Sequence, residues 1–232
     1  MKRYFDIAVS FISLIILSPI LIIFIFLVWI SDFKNPFYLG TRIGKNYKKF
    51  RMIKLRSMTI DADKNKIDST SSNDPRITKI GKIIRKFKID EIFQLINVLV
   101  GQMSIVGPRP NVERDVLIYT DVEKEILTAT PGITDFSSIV FSDEGDILEN
   151  SNDPDLDYNK LIRPWKSRLA LVYVKNNSFM IDLLLIFLTI TSMLNKRQSL
   201  IFLSRVLKKI SANKELHEIV LREKNLVPHP PP

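Results

Sequence analysis

From residue 7 to residue 30 the chain carries no charge and is built largely of Ile, Leu and Phe. Nothing else in the sequence limits the fold as strongly. At about 1.5 Å per residue, a straight helix of that length crosses a hydrocarbon core of roughly 30 Å. A cleaved signal peptide has a shorter apolar region and a small-residue cleavage site, and no such site follows Trp29-Ile30-Ser31-Asp32. Ser18-Pro19 lies at the centre. Proline removes a backbone donor and crowds the preceding turn, so a kink or break is expected there, with the Ser18 hydroxyl able to bond a freed carbonyl. Lys2 and Arg3 precede the segment, and Lys34, Arg42, Lys45, Lys48 and Lys49 follow it. Both ends thus carry the basic signature of a cytoplasmic face. A helix that enters, breaks at Ser18-Pro19 and returns to the same face satisfies both flanks, whereas a spanning helix satisfies one.

A second constellation occupies residues 85–110, RKFKIDEIFQLINVLVGQMSIVGPRP. Asp90 and Glu91 stand between a basic amphipathic stretch and an apolar run that ends at Gly101. Asp is a favoured N-cap and Gly suits the position past a helix end, so the punctuation predicts a helix that begins at the acids. Such acids can serve as a cap alone. Their company is unusual: Arg76, Lys79, Lys82, Arg85, Lys86 and Lys88 lead in, and Gly107-Pro108-Arg109-Pro110 follows.

Elsewhere the pattern is local. Residues 36–58, with turn chemistry at Gly44-Lys45-Asn46, read as a β-hairpin on which Lys54 and Arg56 share a face. That face can hold a diphosphate or simply meet solvent or lipid headgroups. Residues 61–74 lack apolar periodicity and read as a mobile surface loop. Thr78 can cap a helix with Ile80, Ile83, Ile84 and Phe87 as its apolar stripe. Residues 111–130 read as one helix with Val112, Val116, Leu117, Ile126 and Leu127 inward, and 139–148, with Asp143, Glu144 and Asp146, as a solvated loop. A helix over 163–175 buries Trp165, Leu169, Val172 and Tyr173. Residues 180–194, apolar except for Asp182, suit a buried or interfacial helix, and 199–210 a basic surface helix. The proline-rich end reads as a loose tail.

Composition removes several functions. The absence of cysteine excludes disulfides and thiolate metal sites, and His217 and His229 are too few and too late for common zinc sites or a Ser-His-Asp triad in the body of the chain. A formal charge of +9 asks for a polyanionic partner. No helix-turn-helix, zinc-finger or RNP-type pattern points to nucleic acid, so anionic lipid and nucleotide-sugar remain.

Lys2-Arg3 with Phe5-Asp6, Ser18-Pro19, Lys54-Leu55-Arg56-Ser57-Met58, Asp74-Pro75-Arg76-Ile77-Thr78, Asp90-Glu91, Gln94-Leu95-Ile96-Asn97-Val98-Leu99, Met103 to Pro110 and Pro131-Gly132-Ile133-Thr134 together resemble the bacterial sugar transferases, monotopic phosphoglycosyl transferases. The resemblance covers most of the first 135 residues, in the family's order. It implies transfer of a sugar 1-phosphate from a UDP-sugar to polyprenol (undecaprenyl) phosphate, giving polyprenyl-diphosphate-sugar and UMP through a covalent phosphosugar on Asp90. It further implies Mg²⁺ held by Glu91, donor contacts from Lys54, Arg56, Arg76, Arg85 and Arg109, and a place on the cytoplasmic face of the bacterial inner membrane. Phe93, Gln102 and Thr130 with Asp135-Phe136 depart from the common pattern.

The whole reads as an α+β chain, mainly helical with a small β-hairpin: a re-entrant membrane helix over 1–32, a cytoplasmic catalytic domain with interfacial helices over 33–195, and a basic helix and tail over 196–232. A homo-oligomer is compatible with it. The competing reading is a non-enzymatic basic scaffold on the membrane surface, which leaves the acid pair amid cations unexplained.

Overall fold

The computed structural model describes residues 1–65, 69–211 and 213–232, with side chains of 63–65 left aside. Helix α1 (Lys2–Asp32) runs for 31 residues, about 46 Å. It is continuous through Pro19, so the expected break does not end the helix. The reason is local: Pro19 cannot donate to the Ile15 carbonyl four residues back, and the Ser18 hydroxyl donates to that oxygen instead, at 2.8 Å. It is the one described helix long and apolar enough to cross a membrane.

Both ends of α1 are tied to the same body. At its start, Lys2 donates to the Val106 carbonyl and the Tyr173 hydroxyl and pairs with Asp182 at 2.8 Å. Arg3 donates to the Val98 and Leu99 carbonyls. Asp6, buried, accepts from the Ser104 hydroxyl and the Ile105 amide. At its end, Asp32 takes a two-pronged bond from Arg56, at 2.5 and 2.6 Å. Between the ends Leu21 and Val28 share a core with Leu55, Ile84, Ile89 and Phe93. Phe11, Ile16, Ile22 and Phe26 on α1 stay exposed.

The hairpin forms as expected. Strands β1 (Phe37–Ile43) and β2 (Lys49–Leu55) pair antiparallel with Phe37 opposite Leu55 and Ile43 opposite Lys49. The turn needs left-handed backbone at Asn46 and Tyr47. Of the expected mobile stretch, Ile60–Asn65 is a 3₁₀ helix, Ser69 is buried with its amide on Asp155, and 66–68 lie outside the described residues.

Thr78 caps α2 (Lys79–Lys86), its Oγ1 accepting from the Gly81 amide at 3.0 Å. Gly81 is required by space, since a Cβ there would lie 1.8 Å from the Ser57 carbonyl oxygen. Ile84 is buried and Ile80 packs beside it, but Ile83 and Phe87 of the expected stripe are exposed. Lys88, in left-handed backbone, separates α2 from α3 (Ile89–Ile92), and α4 (Gln94–Leu99) follows to Gly101 at φ +86°.

Strand β3 (Ser104–Val106) then leads to α5 (Glu113–Leu117) and α6 (Asp121–Lys124). The single helix expected over 111–130 is therefore divided. Thr120 and Glu123 form a reciprocal capping box that starts a new helix, and Leu117, expected inward, is exposed. Strand β4 (Gly132–Thr134) pairs parallel with β3.

The acidic stretch expected as a solvated loop is folded in. Helix α7 (Phe136–Val140) runs into it and α8 (Glu144–Ile147) lies within it, and Ile139, Val140, Phe141 and Leu148 are buried. The reason is apolar: those four side chains join the core formed with Trp165, Leu169 and Tyr173 of α10 (Arg163–Asn176), which α9 (Pro154–Asp157) and a π-helical turn precede. Helix α11 (Phe179–Leu194) buries Asp182, Leu185 and Leu188 and exposes Met180, Phe187, Ile190 and Met193.

Helices α12 (Lys196–Ile210) and α13 (Lys214–Leu221) add Leu200, Leu203, Leu207, Leu216 and Val220 to that same core. The final residues, expected loose, return to it. The His229 ring lies 4.3 Å from that of Trp165, its amide donates to the Lys160 carbonyl, and Arg168 donates to the Pro230 carbonyl.

Candidate active site

The acid pair is placed by three tertiary constraints. The Asn97 side chain treats β2 as a further strand would: its amide nitrogen donates to the Arg51 carbonyl at 2.8 Å, and its oxygen accepts from the Ile53 amide at 2.9 Å. Gln102, one of the departures from the family pattern, accepts from the same amide at 2.7 Å. This sets the start of α4, and with it α3, against the end of β2 that bears Lys54. Phe93, another departure, packs edge-on against Phe37 at 5.2 Å.

The second constraint delivers Arg109. Gly107 and Gly132 meet so closely that a Cβ on Gly132 would lie 2.0 Å from the Gly107 nitrogen, and the Gly132 amide donates to the Pro108 carbonyl at 2.9 Å. Glycine is needed at both positions for the β3–β4 pair to form. Just past Arg109, the Ile43 amide bonds the Asn111 carbonyl at 2.9 Å, which fixes the Pro108-Arg109-Pro110 run to the hairpin. Proline on each side narrows the backbone choices between those anchors.

The third is Lys88. As the N-cap of α3 it adopts φ 56°, and its side chain makes no cap bond. Asp90 is thus a first-turn residue and not the N-cap expected from the sequence. A four-residue helix also lends little dipole. The positive field at the acids comes from side chains.

Those side chains treat the two carboxylates differently. Arg109 and Lys54 both pair with Glu91, Lys54 at 3.3 Å. Burial alone would push the Glu91 carboxyl up, but Arg109 and Lys54 hold it well below the usual range. Asp90 is buried, its Oδ2 is 3.6 Å from the Lys54 ammonium, and its Oδ1 has no hydrogen-bond partner. Burial pushes the Asp90 carboxyl up, Lys54 pulls it back, and the neighbouring Glu91 charge adds to the rise. One turn on, Gln94 is fully buried with neither amide atom bonded; sequence reading named it only within the family resemblance and gave it no role, because glutamine carries no spacing signal.

The other expected donor contacts divide. Arg85 contributes to the field at both Asp90 and Asp74. Arg76 is engaged by Asp74 at 2.6 Å and by the Ala62 carbonyl. Arg56, just past the end of β2, is engaged by Asp32 and the Asn35 carbonyl, whereas Lys54 is engaged by the acid pair. Asp135 and Phe136, at the altered stretch, serve the fold: Asp135 caps α7 through the Ser138 amide at 2.7 Å, and Phe136 is wholly buried.

No group of three or more His, Cys, Asp or Glu that could hold a metal occurs among the described residues. Two adjacent carboxylates still suit Mg²⁺, which takes one or two carboxylates and fills its shell with water and substrate phosphate. Glu91 would be the residue to hold it, with Asp90 adjacent, which leaves the unpartnered Asp90 Oδ1 open.

Comparison with known proteins places the chain in a family. The family model described as bacterial sugar transferase matches residues 1–196. The exopolysaccharide production protein ExoY of Sinorhizobium fredii is 33% identical over 215 residues, covering 85% of this chain and 87% of that protein. A putative undecaprenyl-phosphate N-acetylgalactosaminyl 1-phosphate transferase of Bacillus subtilis is 44% identical over 109 residues, 47% of this chain and 61% of that protein. The UDP-glucose:undecaprenyl-phosphate glucose-1-phosphate transferase of Klebsiella pneumoniae is 34% identical over 193 residues; the match covers 82% of this chain but only 39% of that protein. With the family model matched over residues 1–196 and a relative 33% identical along most of both chains, the chain belongs to the bacterial sugar transferase family.

Proposed function

We propose that the protein transfers a sugar 1-phosphate from a UDP-sugar to undecaprenyl phosphate, releasing UMP, at the first membrane step of an envelope glycan. The observation that carries this reading is the unpartnered, buried Oδ1 of Asp90 beside a Glu91 already neutralised by Arg109 and Lys54. A buried carboxylate oxygen without a partner costs stability, and an incoming phosphorus gives it a use.

In the first step an Asp90 oxygen attacks the β-phosphorus of the donor. The bond to the bridging oxygen breaks, and UMP leaves with that electron pair. In the second step a phosphate oxygen of the polyprenol attacks the same phosphorus, the acyl-phosphate bond breaks, and the Asp90 carboxylate is regenerated. Lys54 and Arg109 hold Glu91 and face the phosphoryl oxygens, and Arg85 adds to the field. Bound Mg²⁺, held by Glu91 with Asp90 adjacent, would neutralise the diphosphate.

The membrane reading follows from α1. Its two ends and its middle contact one body, so a helix threading the bilayer would draw that body in with it. A re-entrant or in-plane helix keeps the body on the cytoplasmic face. The exposed apolar sides of α1 and α11 then enter the leaflet together, as the Phe5–Phe179 contact at 5.4 Å between them supports.

Detergent-purified protein, incubated with a panel of UDP-sugars, Mg²⁺ and undecaprenyl phosphate, is expected to release UMP with one or a few donors, and to stop in excess chelator. UMP formation without the lipid acceptor, at one equivalent per protein, is expected from the covalent step. Absence of UMP with every donor would overturn the reading.

A further inference from the structure

Glu144 stands in the stretch that sequence patterning assigns to solvent, yet it is half-buried and paired with Lys166 of α10. Lys166 lines a cavity together with Arg109, Tyr119, Tyr158 and Arg163, and its ammonium lies 5.2 Å from the Tyr158 ring centre. Glu144 also acts electrostatically on Arg109, the residue that pairs with Glu91. Arg109 therefore stands between acids on two sides: Glu91 and Asp90, which share Lys54 as a further cation, and Glu144, whose further cation is Lys166.

The C-terminal segment packs on residues that neighbour both members of that second pair. Beside Glu144, Asp143 takes Lys196 at 2.7 Å and Arg222 at 3.8 Å, and the Arg222 guanidinium covers the Phe141 ring at 5.3 Å. On the Lys166 side, the tail lies on Trp165, Arg168 and Lys160. Apart from Lys196, the last residue of the family match, these contacts come from beyond that match.

We infer that Lys166 and Glu144 are positioning residues for the proposed transfer: Lys166 neutralises Glu144 so that Arg109 remains on Glu91, and the segment from residue 196 onward, which packs on the neighbours of both, keeps the two in register. Burial would push the Glu144 carboxyl up, but Lys166, with help from Arg109, holds it below the usual range, so it is an anion that must be satisfied. Remove Lys166, and Arg109 is the cation that next acts on it. The guanidinium then shifts toward Glu144, and Glu91 keeps only Lys54. This inference rests on the transferase reading, since the effect is read at the acid pair.

The test is a double-mutant cycle. Lys166→Met should lower kcat/KM about tenfold, an estimate from the coupling of close buried charges. Adding Glu144→Gln to Lys166→Met should restore activity to within about threefold of wild type, because the unsatisfied anion is gone. A pair needed only for folding would give a double variant at least as impaired as Lys166→Met. That result, or full activity in Lys166→Met, overturns the inference. Calorimetric binding of UDP to the same four proteins gives a second readout that needs no turnover, with affinity expected to fall in Lys166→Met and recover in the double variant. Wild type that releases no UMP from any donor overturns the transferase reading itself, and the UDP cycle then decides the Lys166–Glu144 coupling separately; unchanged UDP affinity in Lys166→Met, or no UDP binding by wild type, counts against it.

Discussion

Asp90 and Glu91 are consecutive residues in one helical turn, yet their carboxyl groups are held in opposite directions: Glu91 is pulled down by Arg109 and Lys54, and Asp90 is pushed up by burial with one oxygen unpartnered. The division assigns roles. The carboxylate engaged by cations is suited to stand still, and the one left open is suited to react.

Asp90→Asn should fold, join the membrane and lose about three orders of magnitude in turnover, with no donor-derived mass adduct on the intact protein. Asparagine has the same volume, and no bond to Asp90 Oδ1 is lost. Because burial raises its folded pKa, ionised Asp90 weakens the fold as pH rises through that value. The variant should therefore melt at or above the wild-type temperature at neutral pH, and the gain should vanish below about pH 4. Turnover within tenfold of wild type would remove Asp90 as the nucleophile.

Glu91→Gln should move stability the other way. Its lowered pKa stabilises the fold above the ordinary Glu value and ceases to do so as pH falls through the folded one. Loss of about 2 kcal/mol at neutral pH is expected, since Arg109 is left with a weaker acceptor. Chemical unfolding at two pH values checks the sign, and a raised Mg²⁺ requirement checks the proposed metal role.

The acid limb of the kcat/KM profile should lie above the ordinary Asp value of about 3.9, because Asp90 must be ionised to attack. Lys54→Met removes the cation that pulls Asp90 down, so the limb should move to higher pH. A limb that stays in place would mean that another group limits the rate.

Arg56 is expected to anchor the end of α1 rather than hold the donor. Arg56→Met should cost about 2 kcal/mol, as for a part-buried ion pair that loses one partner, with the KM for UDP-sugar within twofold of wild type. Thermal unfolding in detergent and donor saturation curves separate the two. Unchanged stability with a raised KM would return Arg56 to the donor site.

Single cysteines at Met1 and Lys45 should behave alike toward a membrane-impermeant thiol reagent, protected in intact cells and labelled in inverted vesicles. Both positions are exposed, and the natural chain has no cysteine to confuse the result. Labelling of one alone in intact cells would show that α1 spans the membrane.

By itself the sequence determined what depends on near neighbours. The apolar run, the hairpin with its turn, the Thr78 cap, the helix bearing Trp165 and the adjacency of Asp90 and Glu91 are all legible because their physics repeats every two to four residues or rests on one side chain. Tertiary structure alone decided which of the many cations serve the acids. Lys54 and Arg109 reach Glu91 from 37 and 18 positions away. Arg56, two residues from Lys54, instead reaches back 24 positions to Asp32. Alternation on a strand could not foresee this, because β2 ends at Leu55 and the alternation stops there. The acid pair was legible as a helix start but not as an unequal pair, since the N-cap position fell to Lys88 through a left-handed backbone that no lysine advertises. The acidic stretch misled because charge predicts exposure locally, and a core assembled from residues 50 to 220 outweighed it; the tail keeps Pro228, Pro230 and Pro231 exposed as its composition suggests, and only its contacts with Trp165 and Arg168 needed the fold.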